Sequence, residues 1–317
     1  MRSRYGGAGL GLVLLSAATF STSGSFATSL IDAGWSPGAV VTARVGIAAI
    51  LLALPAALAM RGRWGGLRAG SRVVVAYGLV PVAACQLCYF FAVQRLSVGM
   101  ALLLEYMGII LVVGWQWARL HRRPRRLTIA GTALAVVGLL LVLNLLGAGH
   151  LDPLGVLWAL GAAVGLAAYY VLSAKGDAGV PPVAVAGGGL AVGAVALGLC
   201  GAVGLLPVHS ALGPVALAGH QLSWWVPVVG LATVAAVVPY VTGIAGARLL
   251  GAKLASFVGL AEVLFGVLVA WLTLGQVPTE IQVGGGVLIV VGVVLVRLDE
   301  LRGVPAESAP AIAATAR

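Results

Sequence analysis

Ten apolar runs, each about as long as a bilayer core is thick, set the terms on which this chain can fold. They lie near residues 8–30, 37–59, 73–93, 98–118, 127–146, 154–173, 182–206, 224–245, 253–274 and 281–297. About 20 consecutive apolar residues span the hydrocarbon region as a helix. In lipid only a helix or a closed barrel satisfies its own backbone hydrogen bonds, and runs of this length are helical. Composition agrees. Of 317 residues, 61% are hydrophobic and only 9% charged, with a mean hydropathy of +1.09. A soluble domain would carry about 25% charged residues to cover itself. The expected fold is therefore an all-α polytopic membrane protein with ten transmembrane helices.

The turns between runs carry helix-starting chemistry. Pro37 opens the second run, Asp152-Pro153 the sixth and Pro181-Pro182 the seventh. Asp152 suits an N-cap, and proline suits the first helical position, where no backbone donor is needed. Pro81, Pro227 and Pro239 fall inside or near the ends of runs and predict bends. Arg2 and Arg4 precede the first run. That run is too long for a signal peptide and lacks a small-residue exit site, so it reads as a retained helix.

The net charge of +10 could invite a nucleic-acid reading. However, the basic residues fall in short clusters between apolar runs, without interleaved aromatics that could stack bases. Their placement carries topology instead. Arg61, Arg63, Arg68 and Arg72 belong to one side, as do Arg119, Arg122, Arg123, Arg125 and Arg126, then Lys175, Arg248, Lys253, Arg297, Arg302 and Arg317. The opposite loops carry only Arg95. The positive-inside rule then places both termini in the cytoplasm, an N-in/C-in protein of the plasma membrane.

Two runs hold one acid each. Leu102–Trp115 reads LLLEYMGIILVVGW around Glu105, and Phe257–Trp271 reads FVGLAEVLFGVLVAW around Glu262. An acid at such a depth costs about 2.5–3.5 kcal/mol on insertion scales, and marks an ion or substrate path. AVVGLLLV (135–142) and IVVGVVLV (289–296) match as well. Two halves of five helices each follow, at 1–147 and 148–298, with a disordered cytoplasmic tail at 299–317. Because five is odd, the second half enters the membrane inverted. Inverted repeats place substrate near the midplane and work by alternating access. The three-residue difference between the acid offset and the glycine offset is assigned to a longer basic loop at His121–Arg126.

These residues resemble a known group. AVQRLSVGMALLLEY (92–106) and GARLLGAKLASFVGLAEVLFGVLVAWLTLGQ (246–276), each followed by a glycine-bearing last helix, look like the ten-helix EamA-like family of the drug/metabolite transporter superfamily. Among its members the chain resembles threonine/homoserine exporters. It departs at Gln276, where the family often has an acid, and at Tyr106 and Val263, where proline often follows the acid. The resemblance implies a secondary transporter exporting a small metabolite, amino acid or amphipathic solute. Coupling to protons is expected, and an uncoupled facilitator or exchanger is the alternative.

The expected substrate- or proton-binding residues are Glu105, Glu262, Tyr89, Tyr106, Tyr169, Tyr240, Ser21 and Ser23. Either acid could instead be a structural hydrogen-bonded group, and any one tyrosine a packing or interface residue. Eight hydroxyls crowd residues 16–29, which points to a hydrated face on the first helix. The alternative is close packing through small side chains. Arg44, about seven residues into the second run, is expected to be a structural charge. Arg95 and Arg248 read as interfacial anchors, and Trp115 as a further pocket candidate. Cys85, Cys88 and Cys200 lie in apolar runs without partner ligands and read as packing residues. Gly34–Gly38 (G-W-S-P-G) matches a nucleophile elbow formally, but Pro37 lacks the N–H that an oxyanion hole needs. No nucleotide-binding or metal-spaced motif occurs, so no enzyme activity, cofactor or metal is expected. The expected partners are a small-molecule substrate, protons and membrane lipids.

Overall fold

A computed structural model describes residues 2–96, 98–120, 124–143, 152–175, 180–274 and 277–302. Nine of its helices are long and apolar enough to cross a membrane: α1 (Gly6–Asp32), α2 (Pro37–Ala59), α3 (Gly70–Val93), α4 (Val98–Arg119), α6 (Pro153–Ser173), α7 (Pro182–Ala202), α8 (Trp225–Leu250), α9 (Ala252–Leu272) and α10 (Glu280–Arg302). The tenth, α5 (Arg126–Val142), is shorter but equally apolar. The outward surface is greasy: Ile50 and Leu272 are each 74% exposed, and Leu54 and Leu157 over 60%. That surface suits lipid, whose tails are as apolar as leucine.

The helix pairing follows one two-fold rule. With α1–α5 equivalent to α6–α10, α1 packs on α8 as α6 packs on α3, and α1 on α9 as α6 on α4. The pairs α2·α7 and α5·α10 map onto themselves. Glycines make the last of these explicit. A Cβ on Gly138 would sit 2.5 Å from the Gly285 carbonyl oxygen, and one on Gly285 would sit 2.7 Å from that of Gly138. Gly131 and Gly292 repeat the arrangement at 2.7 and 2.6 Å. The early glycine of each helix faces the late glycine of the other, so α5 and α10 run antiparallel, as inverted halves require. Small residues let helix backbones approach this closely.

Five helices are irregular. In α1 the helix breaks at Thr22, between Arg2–Ser21 and Ser23–Asp32. The Thr19, Ser21 and Thr22 hydroxyls each donate to a carbonyl three or four residues back. Such back-bonding competes with the helix ladder and bends it. Both α3 and α8 contain a π-helical segment, Gly78–Ala84 around Pro81 and Thr233–Val237 just before Pro239. In both places the proline withholds a donor from the regular ladder. Finally, α4 breaks at Met107 and α9 at Leu260.

The two breaks lie 153 positions apart, like Arg95 and Arg248, whereas the acids lie 157 apart. Glu105 precedes its break by two residues and Glu262 follows its break by two. The difference in offset therefore arises within the acid-bearing helices, not in the basic loop to which it was assigned. The acids are pseudo-equivalent helices' answers to one need, but not equivalent positions.

Two further departures stand out. Helix α10 continues to Arg302, past Asp299 where a tail was expected to begin. Asp299, 4% exposed, accepts from Thr128 at 2.6 Å, and Lys253 sits 3.7 Å from Asp299 and 2.6 Å from Glu300. This network ties the starts of α5 and α9 to the end of α10. The second departure is a hairpin between α7 and α8, β1 (Pro214–Leu217) paired antiparallel with β2 (His220–Ser223). Its two-residue turn, Ala218-Gly219, has positive φ at both positions. Such turns match the strand twist, but Asn-Gly or Asp-Gly is their usual signature. Ala-Gly gives little warning. The segments 121–123, 144–151, 176–179, 275–276 and 303–317 lie outside the described residues. With them lie Arg122, Arg123, His121, His150, Gln276, Arg317 and the rest of the expected tail.

Candidate functional site

Seven helices bring polar side chains to one place inside the apolar body. Glu105 comes from α4 and Glu262 from α9. Each keeps some accessible surface although helices surround it, and each lies within electrostatic range of the other. The Cys85 thiol of α3 donates to Glu105 Oε1 at 3.5 Å. Tyr106, one position after Glu105, lies within electrostatic range of Glu262. The site therefore draws on both halves: a residue of the first half's acidic helix lies near the acid of the second.

Aromatic residues wall it. Tyr77 of α3, Tyr169 of α6 and Tyr240 of α8 form a triangle with ring centroids 5.9, 6.3 and 6.1 Å apart. Tyr170 stands edge-on to Tyr169 at 5.0 Å. Tyr89 lies within electrostatic range of both acids, and Tyr240 of both acids and Arg44. Two glycines make room for the phenols. The Tyr169 hydroxyl, beside Ser16, lies against Gly243, and the Tyr170 hydroxyl against Gly259, next to the α9 break. A side chain at either position would collide with the oxygen. Tyr77 is fully buried and was not among the residues expected. Its AY-G context at the start of a run carries no signal of its own.

The hydroxyls of α1 divide in two. Ser16 Oγ donates to the Pro239 carbonyl of α8 at 2.9 Å, and Ser23 Oγ accepts from Arg44 Nη1 at 2.9 Å. Thr19, Ser21, Thr22 and Ser29 bond their own helix instead. Ser21 therefore shapes the α1 break, while Ser23 reaches the site.

Arg44, expected as a structural charge, stands in the middle of this group. It is 5% exposed, and its guanidinium lies over the Phe20 ring at 5.3 Å. Both acids feel its charge. Among the described residues, however, the ion pairs join Arg95 to Asp152 and Lys253 to Asp299 and Glu300, and none includes Arg44.

Other expected features fall elsewhere. Cys85 and Cys88 pack α3 against Gly165 and Gly161 of α6, so their packing role stands, with the Glu105 contact added for Cys85. Trp115 is 43% exposed and stacks with Arg119 at 4.6 Å, away from the tyrosines. Arg95 pairs with Asp152 at 3.3 Å, and Arg248 donates to the Val180 carbonyl at 2.8 Å, so both hold neighbouring helix ends. Ser36 caps α2 by accepting from the Ala39 N–H, and donates to the Pro207 carbonyl at 2.8 Å. Trp35 donates to the Ala211 carbonyl at 2.6 Å. The G-W-S-P-G stretch is thus a dock for the loop before the hairpin. Among the described residues, no group of three or more metal-ligating side chains occurs.

Two inverted five-helix halves that gather polar groups inside an apolar body form an arrangement that membrane transporters use. Comparison with known proteins supplies the family. The EamA-like transporter family model matches residues 7–144 and again 153–298, one match per five-helix half, and the chain belongs to that family. A solved structure described only as a crystal structure of a protein superposes with a TM-score of 0.73 at 21% identity, over 93% of this chain and 98% of that one. At that identity the likeness speaks for the fold. No curated protein matches the sequence.

Proposed function

We propose that the protein is a proton-coupled secondary exporter of a small metabolite or amino acid, acting from the cytoplasmic membrane by alternating access. The observation that carries this is the convergence of Glu105 and Glu262, one from each half, at a shared polar site beside the helix breaks. An intramembrane acid is costly to keep and commonly marks an ion path or a proton relay. Two acids allow one to carry the proton while the other holds a cationic group of the cargo, with the tyrosine faces beside it. The π-helical segments and breaks free backbone groups and give the helices places to flex, as rocking of one half against the other requires. We take the halves to divide near 147–148.

Inside-out vesicles with an acidic interior test this. They should accumulate a labelled amino-acid mixture, and an uncoupler should abolish the gain. Glu262→Gln should lose gradient-driven uptake about tenfold or more, a cost of at least about 1.4 kcal/mol in driving the cycle. Undiminished gradient-driven uptake by Glu262→Gln would remove the coupling role. Wild-type uptake indifferent to the gradient would instead favour an uncoupled facilitator.

A further inference from the structure

We propose that Arg44 is the anion receptor of the transport site, gripping a carboxylate on the transported solute. This rests on the transport function proposed above and adds a specificity-determining residue and the charge pattern of the cargo.

The guanidinium presents five N–H donors in a fixed plane. Nη1 is used by Ser23 at 2.9 Å. Phe20 covers one face at 5.3 Å. Nε and Nη2 are sealed from solvent and have no partner among the described residues. These two atoms are not a random remainder. Nε–H and the neighbouring Nη2–H form one edge of the guanidinium, two parallel donors whose spacing matches the two oxygens of a carboxylate. The protein has engaged Nη1 and left free an edge suited to bidentate capture.

A buried charge without a partner is unfavourable, and the two acids that could relieve it stay out of ion-pair distance. An ordinary structural arginine would be paired with one of them. Here the positive edge and the two carboxylates lie within electrostatic range of one another without pairing. That pattern is complementary to a zwitterion: carboxylate on Arg44, ammonium on one acid, and the second acid left for the proton. The sealed edge corresponds to an occluded conformation, with access gained when the halves rock.

The test uses the full-length protein purified in detergent, melted by its tryptophan fluorescence. The probes are the proteinogenic amino acids and short monocarboxylates, each beside its amide. A ligand that binds the folded state raises the melting temperature by mass action. At least one carboxylate should raise it, and its amide should not. Arg44→Gln should abolish the response, and Arg44→Lys should keep the charge but weaken apparent binding roughly tenfold, having lost the fork. If no carboxylate stabilises the wild type, if amides do as well as acids, or if Arg44→Gln responds unchanged, the proposal is overturned. Should Arg44→Gln fail to fold, Arg44→Lys decides, and a response equal to wild type overturns it. Rescue of Arg44→Gln uptake by a second change, Glu105→Gln, would show a switching ion pair and also overturn it. The melt needs no gradient, so loss of proton coupling with an intact carboxylate response would sink the transport mechanism while sparing Arg44.

Discussion

At the scale of single residues, what a side chain does here depends on which groups it leaves unpaired. Glu105 and Glu262 were legible in the sequence because charge inside an apolar run is costly and therefore conspicuous. Arg44 was equally conspicuous but was assigned a structural role, since only coordinates distinguish a paired guanidinium from one with a free edge. Tyr77 and the Cys85 thiol were not legible, because tyrosine and cysteine are ordinary in such runs and only their neighbours give them a part. Asp152 was predictable in full, as an N-cap before Pro153. Its carboxyl is held below the ordinary value near 3.8 by the Gly155 N–H first, then the Leu154 N–H and Arg95. The folded state thus prefers the charged form. The stabilisation is complete above the unfolded value and is lost as pH falls through the folded one. Between pH 5 and about 3 the wild type should therefore lose melting temperature faster than Asp152→Asn, which keeps the cap but does not titrate. Parallel melting curves for the two proteins would refute this cap.

At the scale of elements, glycine spacing decides which helices meet. Gly131 and Gly138 on α5, with Gly285 and Gly292 on α10, bring two backbones together on the pseudo-two-fold axis. Overpacking such a seam typically costs 1–3 kcal/mol. Gly138→Val and Gly285→Val should each destabilise the protein by about 2 kcal/mol in an unfolding titration, and by similar amounts, because the two contacts are reciprocal. Gly114 faces open space, so Gly114→Ala should be neutral or slightly stabilising. Unequal effects of the two valines would contradict the reciprocal packing. The matching AVVGLLLV and IVVGVVLV segments announced the repeat, but not that these two helices meet or that Gly138 faces Gly285. The breaks at Met107 and Leu260 were hidden, since no proline lies at either. Prolines at 81 and 239 hinted at bends but not at their type. The hairpin was hidden for a local reason, its Ala-Gly turn being a weak signal.

For the whole molecule, the architecture follows from an odd number of helices per half. Charge placement makes the orientation a prediction: the loops after α2 and α4 are basic, the loop carrying the hairpin has no Lys or Arg, and the positive-inside rule would put the basic loops in the cytoplasm. In a variant with Cys85, Cys88 and Cys200 replaced by serine or alanine, a cysteine at His220 should react with an impermeant maleimide in intact cells. One at Arg63 should react only after permeabilisation. The opposite pattern would reverse the assigned topology. The same five-and-five arrangement brings residues of both halves to the candidate site, each half supplying one acid.

The sequence by itself determined the membrane setting, the helix number and the repeat, because lipid leaves the backbone no alternative to helices and rewards every apolar run of the right length. It also exposed the two acids, since burying charge is expensive enough to need a reason. Tertiary structure alone decided that Tyr106 lies near Glu262, that four tyrosines from three helices meet, and that one edge of Arg44 stays open. Those facts depend on distances between residues far apart in the chain, which no local pattern encodes.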